Sequence, residues 1–462
     1  MTLSRRTFLQ SSAAFALMSQ SAAAQPRTPT RPNVIWIIGD DVGPDEFGCY
    51  GHPTIRTPNI DALAEGGIRF SNAFVTTSSC SPSRASLFTG KYPHSTGAEN
   101  LHDRLPADQV ILPEILGQNG YFTGSVGKFH LGGAARQKLD WFDGNVLSWK
   151  GFLAERPQDQ PFFLAVGFVD AHRPFDRGCV DPPYTHDEIT VPRYLPDIPE
   201  VREDLAGFYD EITRMDSVIG NLVDQLEAEG ALDNTIIVFL GDNGMPFPRA
   251  KTTLYDSGIH TPLVIHWPEG LKQSGVANTL ASSVDLAPTI LDALEMPIPD
   301  DMEGVSLLRT LQQPYREQAR DYIYAERNWH DYDDHSRAVR DRRYKYIWNA
   351  FPMRPLEQSA DSIKTDMFDR IIELRDSNKL TSEQMLLFRS RRAEEELYDL
   401  ENDPNEFYNL AYEPAYQGVL ERMRKQLKQW REETDDIPPS DALPDEFDPE
   451  TGERIRPPHQ NQ

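Results

Sequence analysis

The sequence predicts an α/β fold, with a mostly parallel β-sheet sandwiched by helices and a smaller C-terminal α+β subdomain. Between Asn33 and Ile265, continuous apolar runs bounded by turn residues recur along the chain, as expected for strands buried on both faces of a parallel sheet. Helical patterns separate these runs, which favours a doubly wound sheet. From about Tyr322 the apolar runs become short and rich in aromatic residues, which indicates the second subdomain.

The predicted elements follow one another in this order. In the first part, strands are predicted at Asn33–Gly39 and at residues 121–126, 162–169, 235–240 and 262–265, and helices at residues 60–64, 112–119 and 205–229. In the second part, a strand is predicted at residues 343–348, followed by helices at residues 384–396 and 416–433. We therefore expect a catalytic domain over residues 32–315, an α+β subdomain over 316–433, and a Pro-rich acidic tail over 434–462.

The N-terminus has the three parts of an export signal. Arg5 and Arg6 precede a short, weakly apolar stretch at residues 11–18, which is followed by three alanines at 22–24. This order predicts a twin-arginine signal peptide over residues 1–25 and a bacterial periplasmic or secreted protein. No later stretch reaches the ~20 apolar residues of a membrane-spanning helix, so no membrane anchor is predicted.

Charge and cysteine content narrow the function classes. The formal net charge of −26 disfavours binding to nucleic acid, and it mildly favours action on small fragments over gripping a long polyanion. Only Cys49, Cys80 and Cys179 are present, which is too few for a disulfide framework even in an oxidising compartment. Pairing of Cys49 with Cys179 is left open.

Polar residues follow directly after four of the predicted strands, and in α/β sheets ligands bind outside these carboxyl ends. They are Asp40 and Asp41 after the first strand, Lys128 and His130 after the second, Asp170 and His172 after the third, and Asp242 and Asn243 after the fourth. An isolated Lys or His is usually a surface or packing residue. Its position after a buried strand favours a functional role.

The acidic members of this set predict a metal site. Carboxylates from Asp40, Asp41 and Asp242, together with the amide of Asn243, are the hard oxygen ligands that Ca²⁺ prefers, with Mg²⁺ as the second choice. Taken alone, Asp40-Asp41 is more often a turn or a helix cap, and Asp242-Asn243 is more often a plain turn. Three acids at neighbouring strand ends would repel one another without a cation, so a divalent metal is the better interpretation.

Cys80 lies in an unusual context, Ser79-Cys80-Ser81-Pro82-Ser83-Arg84. Proline suits the first turn of a helix, so we expect Cys80 to project from a helix N-terminus, where backbone N–H groups and the dipole favour anions. A lone cysteine in a loop is usually inert. Here its surroundings make it a candidate nucleophile.

These motifs together resemble one known family. Cys80-x-Pro82-x-Arg84, continued by Leu87-x-Thr89-Gly90, resembles the sulfatase signature, in which a maturation enzyme converts the cysteine to formylglycine. The resemblance extends from Pro32 to about Glu433. Matching segments occur in family order at residues 33–41, 127–130, 242–244, 284–289, 396–400, 403–406 and 409–410.

The resemblance implies an alkaline-phosphatase-like fold and a specific set of roles. Formylglycine (3-oxoalanine) at position 80, hydrated to a diol, would attack sulfur, and one Ca²⁺ or Mg²⁺ would be held by the residue at position 80 with Asp40, Asp41, Asp242 and Asn243. The other implied roles are catalytic. Arg84 and Lys128 would steady the formylglycine, and Lys251 would hold the sulfate, with Arg249 near enough in the sequence to compete for that role. His130 would be the base, and His172 would donate a proton to the leaving group.

Within the family, the stretches at residues 170–173, 191–216, 242–248 and 251–255 are similar to N-sulfoglucosamine sulfohydrolases, the heparan sulfamidases. Lys251 stands where that branch has arginine. The expected substrate is a small sulfated saccharide, with N-sulfate and O-sulfate both open. One alternative is a phosphonate or phosphate ester hydrolase of the same superfamily. Another is a non-catalytic glycan-binding relative, which would be marked by loss of the nucleophile or metal ligands.

Overall fold

Eight strands form the larger sheet, and seven of them run in the same direction. The computed structural model describes residues 31–315, 318–439, 443–449 and 451–457. The strand order is β4-β3-β5-β1-β6-β7-β2-β8, and β7 alone is antiparallel to its neighbours. The strands are β1 (Asn33–Gly39), β2 (Ile68–Phe74), β3 (Phe122–Gly127), β4 (Trp141–Asp143), β5 (Phe162–Gly167), β6 (Thr235–Gly241), β7 (Leu263–His266) and β8 (Gly275–Ser282).

Strand β1 lies in the middle of this sheet, between β5 and β6. Its side chains alternate between two separate cores: Ile35 and Ile37 belong to one, and Val34, Trp36 and Ile38 to the other. Because both faces are covered, the strand is apolar at every position from Val34 to Ile38 rather than at every second one. This explains the continuous run in the sequence.

Helices cover both faces of the sheet. Helices α1, α6, α7 and α12 contribute to the core that contains Ile35, and α2, α4, α9 and α10 contribute to the core that contains Trp36. The helices are α1 (Pro58–Gly66), α2 (Cys80–Thr89), α3 (Pro93–Thr96), α4 (Leu112–Gln118), α5 (Gly133–Arg136), α6 (Trp149–Glu155), α7 (Pro199–Ala228), α8 (Asp256–Ile259), α9 (Leu286–Ala293), α10 (Leu308–Gln312), α11 (Ala360–Ile363), α12 (Asp366–Asp376) and α13 (Gln417–Glu433).

A second, antiparallel sheet follows in the chain. Its strands are β9 (Ile323–Arg327), β10 (Ser336–Arg340), β11 (Tyr344–Asn349) and β12 (Glu395–Asp399), in the order β12-β11-β10-β9. Helix α13 packs its apolar side chains on one face of this sheet, and residues of β2 and β8 contribute to the core on the other. The predicted α/β fold with a smaller α+β part is thus confirmed. The predicted boundary between residues 315 and 316 stays a prediction.

One predicted helix is wrong. Residues 384–396 form a short 3₁₀ turn at Gln384–Phe388 and then an extended segment that enters β12. Tertiary contacts outweigh the helical charge pattern: Arg392 forms an ion pair with buried Asp334 at 2.9 Å, and Glu396 accepts a hydrogen bond from Asn349 at 2.7 Å. Both interactions hold the segment extended along the sheet.

The predicted signal peptide and the predicted acidic tail lie at the two ends of the chain. The predicted signal peptide lies outside the described residues. Parts of the acidic tail are packed: Asp436 is buried in an ion pair with Arg337 at 2.7 Å, and the carbonyl of Pro444 accepts a hydrogen bond from Trp329 at 3.1 Å. Within the described ranges, none of the helices is long and apolar enough to cross a membrane.

Candidate active site

The carboxyl ends of β1, β3, β5 and β6 lie side by side, and the polar residues that follow them meet there. Strands β5 and β6 flank β1, and β3 pairs with β5 on its far side. Asp40 and Asp41 leave β1 next to Asp242, whose Oδ1 accepts a hydrogen bond from the Asp41 amide at 3.1 Å. The strand ends thus build one buried polar centre, called the acidic cluster below: Asp40, Asp41, Asp242 and Asn243, each at most 1% exposed.

The donor atoms of the acidic cluster fit a metal ion. One ligand atom from each of Asp40, Asp41, Asp242 and Cys80 lies within 4.8 Å of the others. Asn243 Nδ2 donates to Asp41 Oδ1 at 2.7 Å, whereas Asn243 Oδ1 is buried without a hydrogen-bond partner. A buried carbonyl oxygen without a donor is costly. A divalent cation bound among these oxygens would satisfy it.

Electrostatics points the same way. Burial raises the pKa of Asp242 to about 6, and the nearby carboxylates of Asp40 and Asp41 add to the effect against the opposing charges of Arg84 and Lys128. Burial is the larger cause, and a divalent cation bound among the three carboxylates would relieve the repulsion that adds to it.

Cys80 begins helix α2 and faces the acidic cluster. Its Sγ lies 3.5 Å from Asp40 Oδ1 and 3.8 Å from Asp41 Oδ1. Burial raises the pKa of the Cys80 thiol well above its usual value, against the opposing charges of Lys128 and Lys251. Reactive cysteines have lowered pKa values, so an unmodified thiol here is a poor nucleophile.

Two cations brace the cluster from the sides. Arg84, in α2, donates from Nε to Asp242 Oδ2 at 2.8 Å and from Nη1 to the Lys128 carbonyl. Lys128, after β3, donates from Nζ to both oxygens of Asp40 at 2.8 and 2.6 Å. Burial lowers the pKa of Lys128, but Asp40 outweighs that effect and raises it above the ordinary value. Lys128 is therefore a fixed positive charge.

Lys251, and not Arg249, reaches the acidic cluster. Lys251 Nζ lies 2.7 Å from Asp41 Oδ2 and 3.0 Å from Asp361 Oδ2, in a buried position. Arg249 points elsewhere, with its guanidinium 4.0 Å from the Tyr255 ring centroid and its Nη2 bonded to the Glu406 carbonyl at 2.5 Å. The sequence left these two cations in competition for the site, and the structure separates them.

His172 lies at the open side of the site. Its Nδ1 lies 2.7 Å from the Arg173 carbonyl, a contact that requires Nδ1 to carry the proton. Nε2 therefore faces the site, 3.9 Å from the nearest carboxylate oxygens of both Asp41 and Asp361. Asp170, which precedes it, binds Arg214 instead, at 2.6 Å. The His172 side chain is 34% exposed, so a substrate can reach it.

His130 follows β3, two residues after Lys128, and is not charged. Burial lowers its pKa well below the ordinary value, and the charges of Lys128 and Arg84 lower it further. Its Nε2 lies 3.1 Å from His102 Nδ1, and its Nδ1 is buried without a hydrogen-bond partner. A neutral imidazole with a free ring nitrogen can accept a proton.

Three residues of the site escaped the sequence reasoning. Asp361 comes from helix α11, His102 from a loop, and His330 from the segment after β9, where its Nδ1 lies 2.7 Å from Ser79 Oγ. None follows a buried parallel strand, so spacing gave no signal for them. Of the three, only His102 has a positive φ, a conformation that is enriched at functional sites and that Asp41 and His130 also adopt.

Comparison with known proteins places these features in a family. The sulfatase family model matches residues 32–150 and 145–296, and the model for the C-terminal region of N-sulphoglucosamine sulphohydrolase matches residues 249–357. The chain is 33% identical to the human N-sulphoglucosamine sulphohydrolase over 87% of its length and 90% of the relative's. It is 32% identical to an ulvan-active sulfatase of Formosa agariphila over 88% of its length and 76% of the relative's.

Solved structures share the fold. One, described as a 2-O GAG sulfatase, has a TM-score of 0.68 at 22% identity and covers 93% of this chain and 99% of its own. Another, solved with its substrate D-glucosamine-2-N,6-O-disulfate, has a TM-score of 0.66 at 22% identity and covers 89% and 99%. The same mostly parallel sheet thus occurs in enzymes for sulfated sugars.

Proposed function

Because this chain belongs to the sulfatase family and is therefore a sulfuric ester hydrolase, we propose that it releases inorganic sulfate from a small sulfated saccharide through a formylglycine formed at Cys80. The observation that carries this proposal is the position of Cys80. It is a buried residue at the first position of α2, with its Sγ against Asp40 and Asp41. Burial raises the pKa of the thiol and keeps it protonated, whereas a hydroxyl group beside a bound cation would be activated as a nucleophile.

A single divalent metal, Ca²⁺ rather than Mg²⁺, completes the site in this proposal. Asp40, Asp41, Asp242 and Asn243 would hold it, together with the residue at position 80. When bound, it would act as a Lewis acid toward oxygen and lower the pKa of a hydroxyl group beside it. Carboxylate oxygens of Asp40, Asp41 and Asp242 lie within 4.8 Å of one another, and Asn243 Oδ1 is buried without a hydrogen-bond partner. Both observations support this assignment. Flexible oxygen coordination suits Ca²⁺ better than Mg²⁺.

The residue at position 80 would act as a covalent nucleophile. A maturation enzyme would convert the Cys80 thiol to an aldehyde, whose hydrate carries two hydroxyl groups on one carbon. One hydroxyl can attack sulfur, and the other can expel sulfate afterwards. One of those oxygens would replace the Sγ atom of Cys80 on the same carbon, beside Asp40 and Asp41.

Fixed positive charge would stabilise the sulfate and the modified side chain. Arg84 and Lys128 are held in place by Asp242 and Asp40, and Lys251 by Asp41 and Asp361. Because these ammonium and guanidinium groups are already oriented, they need not reorganise during the reaction. Lys251 would bind a sulfate oxygen, and Arg84 and Lys128 would steady the formylglycine.

Two histidines would divide the proton transfers. His130 is buried and neutral, which suits a base toward the hydroxyl groups at position 80. The His172 side chain is 34% exposed and its Nε2 faces the site. As an imidazolium, protonated on both ring nitrogens, it would donate the Nε2 proton to the departing oxygen or nitrogen. The two rings therefore serve opposite ends of the scissile bond.

The test separates this function from the phosphonate or phosphate ester hydrolase. Protein co-produced with a formylglycine-generating enzyme should release nitrophenol from nitrophenyl sulfate much faster than from nitrophenyl phenylphosphonate, and Cys80→Ala should abolish both reactions. A preference for the phosphonate would reject the sulfatase assignment. Screening defined sulfated mono- and disaccharides then identifies the sugar.

We also propose export through the twin-arginine route to the periplasm or the exterior. Arg5 and Arg6 followed by the apolar stretch and the alanines at 22–24 support it. Export of the folded chain would allow the modification at Cys80 to be made beforehand in the cytoplasm. Replacing Arg5 and Arg6 by lysine should retain the protein in the cytoplasm, as fractionation would show.

A further inference from the structure

Helix α7 holds the loop that carries His172 through a buried carboxylate. This loop, residues 170–176, is called the His172 loop below. Glu211, in α7, accepts a hydrogen bond from the Ala171 amide at 2.9 Å with Oε2 and from the Asp176 amide at 2.7 Å with Oε1. One carboxylate thus binds the backbone on both sides of His172, one residue before it and four residues after it.

Arg214, about one turn further along α7, is partly exposed and binds the same loop. It donates from Nε to Asp170 Oδ1 at 2.6 Å and from Nη1 to Asp176 Oδ2 at 3.1 Å, and its Nη2 lies 3.3 Å from Glu211 Oε1. The guanidinium therefore ties the two ends of the His172 loop to each other and to the Glu211 carboxylate. Arginine contacts of this kind add geometric precision as well as binding energy.

The backbone at Ala171 needs this support. Its φ is +73°, in the left-handed region that residues with a side chain rarely adopt. Such a conformation persists only where the surrounding structure holds it. Ala171 is fully buried, and Glu211 accepts its amide. Relaxation of Ala171 to ordinary backbone angles would turn the next residue, His172, and move its ring.

Glu211 does not act on the substrate itself. Its side chain is 4% exposed, and both of its oxygens already accept backbone amides. The His172 ring, by contrast, reaches solvent and directs Nε2 toward the acidic cluster. Glu211 can therefore affect the reaction only through the backbone that it shares with His172.

We propose that Glu211, assisted by Arg214, is a positioning residue of the reaction, which holds His172 Nε2 where it can protonate the departing atom. The inference rests on the sulfatase function proposed above. Displacing a catalytic group by about 1 Å can cost about 100-fold in rate. Because only the proton transfer to the leaving group depends on His172, loss of Glu211 should slow substrates with poor leaving groups and spare those with good ones.

The experiment compares Glu211→Gln with the wild-type enzyme on two substrates, nitrophenyl sulfate and the sulfated sugar that the saccharide screen identifies. Glutamine keeps the size of the side chain, but its NH₂ group cannot accept a hydrogen bond, so one of the two amides loses its acceptor. Glu211→Gln should lower kcat for the sugar by about 10–100-fold and kcat for nitrophenyl sulfate by less than about threefold. KM should stay near wild type for both. Equal losses of kcat on the two substrates would overturn the proposal.

Asp210→Asn is the matched control, because Asp210 precedes Glu211 in α7 and holds a different part of the chain in the same manner. Asp210 is fully buried and accepts the Gly178 amide at 2.7 Å and the Tyr184 amide at 2.9 Å. Its replacement should lower the melting temperature about as much as Glu211→Gln does, without a difference between the two substrates. A loss confined to the sugar in Asp210→Asn as well would make the effect one of general stability and overturn the proposal.

A double-mutant cycle tests whether Glu211 acts through His172. In the His172→Ala background no ring remains to be positioned, so adding Glu211→Gln should change kcat for the sugar by less than about threefold. Residues that act independently give losses that multiply. Multiplied losses in the double variant would therefore show that Glu211 acts apart from His172, and would overturn the proposal.

Hydrogen exchange tests the hold on the loop without turnover. In Glu211→Gln, the peptide that contains Ala171 and Asp176 should exchange its amides at least about tenfold faster than in the wild type. In Asp210→Asn, faster exchange should be confined to the peptide that contains Gly178 and Tyr184. Unchanged exchange around His172 in Glu211→Gln would show that Glu211 does not hold the loop, and would overturn the proposal.

A second variant covers the case in which Glu211→Gln does not fold. Arg214→Lys changes a partly exposed residue and removes the link between Asp170 and Asp176, so it should lower kcat for the sugar by about three- to tenfold and leave nitrophenyl sulfate near wild type. Equal losses on both substrates would again overturn the proposal. Absence of sulfate release by the wild-type protein from nitrophenyl sulfate and from every sugar would instead reject the sulfatase function, which is a distinguishable failure.

Discussion

Arg84 donates from Nε to Asp242 Oδ2 across 2.8 Å and thereby joins the helix that carries Cys80 to the end of β6. Its Nη1 reaches the Lys128 carbonyl, and its Nη2 is buried without a hydrogen-bond partner. One side chain thus joins helix α2 to the ends of two strands, β3 and β6, and keeps one donor without a partner. Among the cationic side chains, only arginine carries several N–H donors fixed in one plane.

Arg84→Lys should therefore be severe although it conserves charge. A lysine ammonium cannot hold both Asp242 and the Lys128 carbonyl in the present geometry. We expect kcat to fall by about 10²–10³-fold with a smaller change in thermal stability. Arg343→Lys, at a half-exposed arginine that is also bonded to a carboxylate, is the control and should be almost silent. Kinetics near wild type for Arg84→Lys would refute the bracing role.

The proposed metal site predicts that loss of the bound cation lowers both the rate of turnover and the melting temperature of the protein. Chelation should abolish turnover, and Ca²⁺, or less effectively Mg²⁺, should restore it. A ligand at 100 times its Kd stabilises the native state by about 2.7 kcal/mol, so the melting temperature should rise on adding Ca²⁺. Asp242→Ala should remove both effects. Asp233→Ala, at the opposite end of β6, should preserve them. Full activity in metal-free protein would contradict the site.

Leaving-group chemistry separates His172 from Lys251. An amine or sugar alkoxide leaves badly unless it is protonated, whereas nitrophenolate leaves without help. His172→Ala should therefore reduce kcat/KM on a sulfated sugar by roughly 10²–10⁴-fold more than on nitrophenyl sulfate. Lys251→Ala should damage both substrates alike, because it would hold the sulfate itself. Equal losses on both substrates for His172→Ala would show that it is not the acid.

The buried carboxyl group of Glu46, which does not belong to the acidic cluster, should make the free energy of unfolding depend on pH. Burial, with the nearby Asp45, raises the pKa of Glu46 to about 8, although its Oε2 accepts the Gly43 amide at 2.6 Å. The native state then holds this proton more tightly than the unfolded chain, whose pKa is about 4.3. The protonated Glu46 contributes fully to the free energy of unfolding at pH values below about 4.3. This contribution is lost as pH rises from there through about 8, by up to about 1.4 kcal/mol per pH unit.

Glu46→Gln removes this titration while leaving an acceptor for the Gly43 amide. We expect the variant to gain stability relative to the wild type as pH rises from 5 to 9, as measured by urea unfolding at each pH. Glu65→Gln, at an exposed position, should follow the wild-type curve. Parallel curves for Glu46→Gln and the wild type would mean that Glu46 is ionised normally in the native state.

Five of the eight strands of the larger sheet, and the polar residues at the ends of four of them, could be predicted because they rest on local patterns, whereas β2, β4 and β8 were not predicted. A strand buried on both faces must be apolar throughout, so the first polar residue marks its end, as Asp40 does after β1 and Asp242 after β6. The side chains at those ends meet because the strands are neighbours in a parallel sheet.

The rest depends on contacts that the sequence does not display. Asp361 follows Lys251 by 110 positions and reaches it only through the packing of α11. Residues 384–396 have the charge pattern of a surface helix, yet they form only a short 3₁₀ turn at Gln384–Phe388 before the ion pair of Arg392 and the pairing of β12 with β11 hold the rest extended. Arg249 and Lys251 are two positions apart, and the turn between them sends the side chains in different directions.

The central claim is that the nucleophile is formylglycine and not the thiol of Cys80. Mass spectrometry of the peptide containing position 80, on preparations made with and without a formylglycine-generating enzyme, tests it most directly. The account predicts that the aldehyde or its hydrate is present at this position, and that specific activity toward nitrophenyl sulfate rises in proportion to its fraction. An unmodified thiol at position 80 in fully active protein would contradict the account.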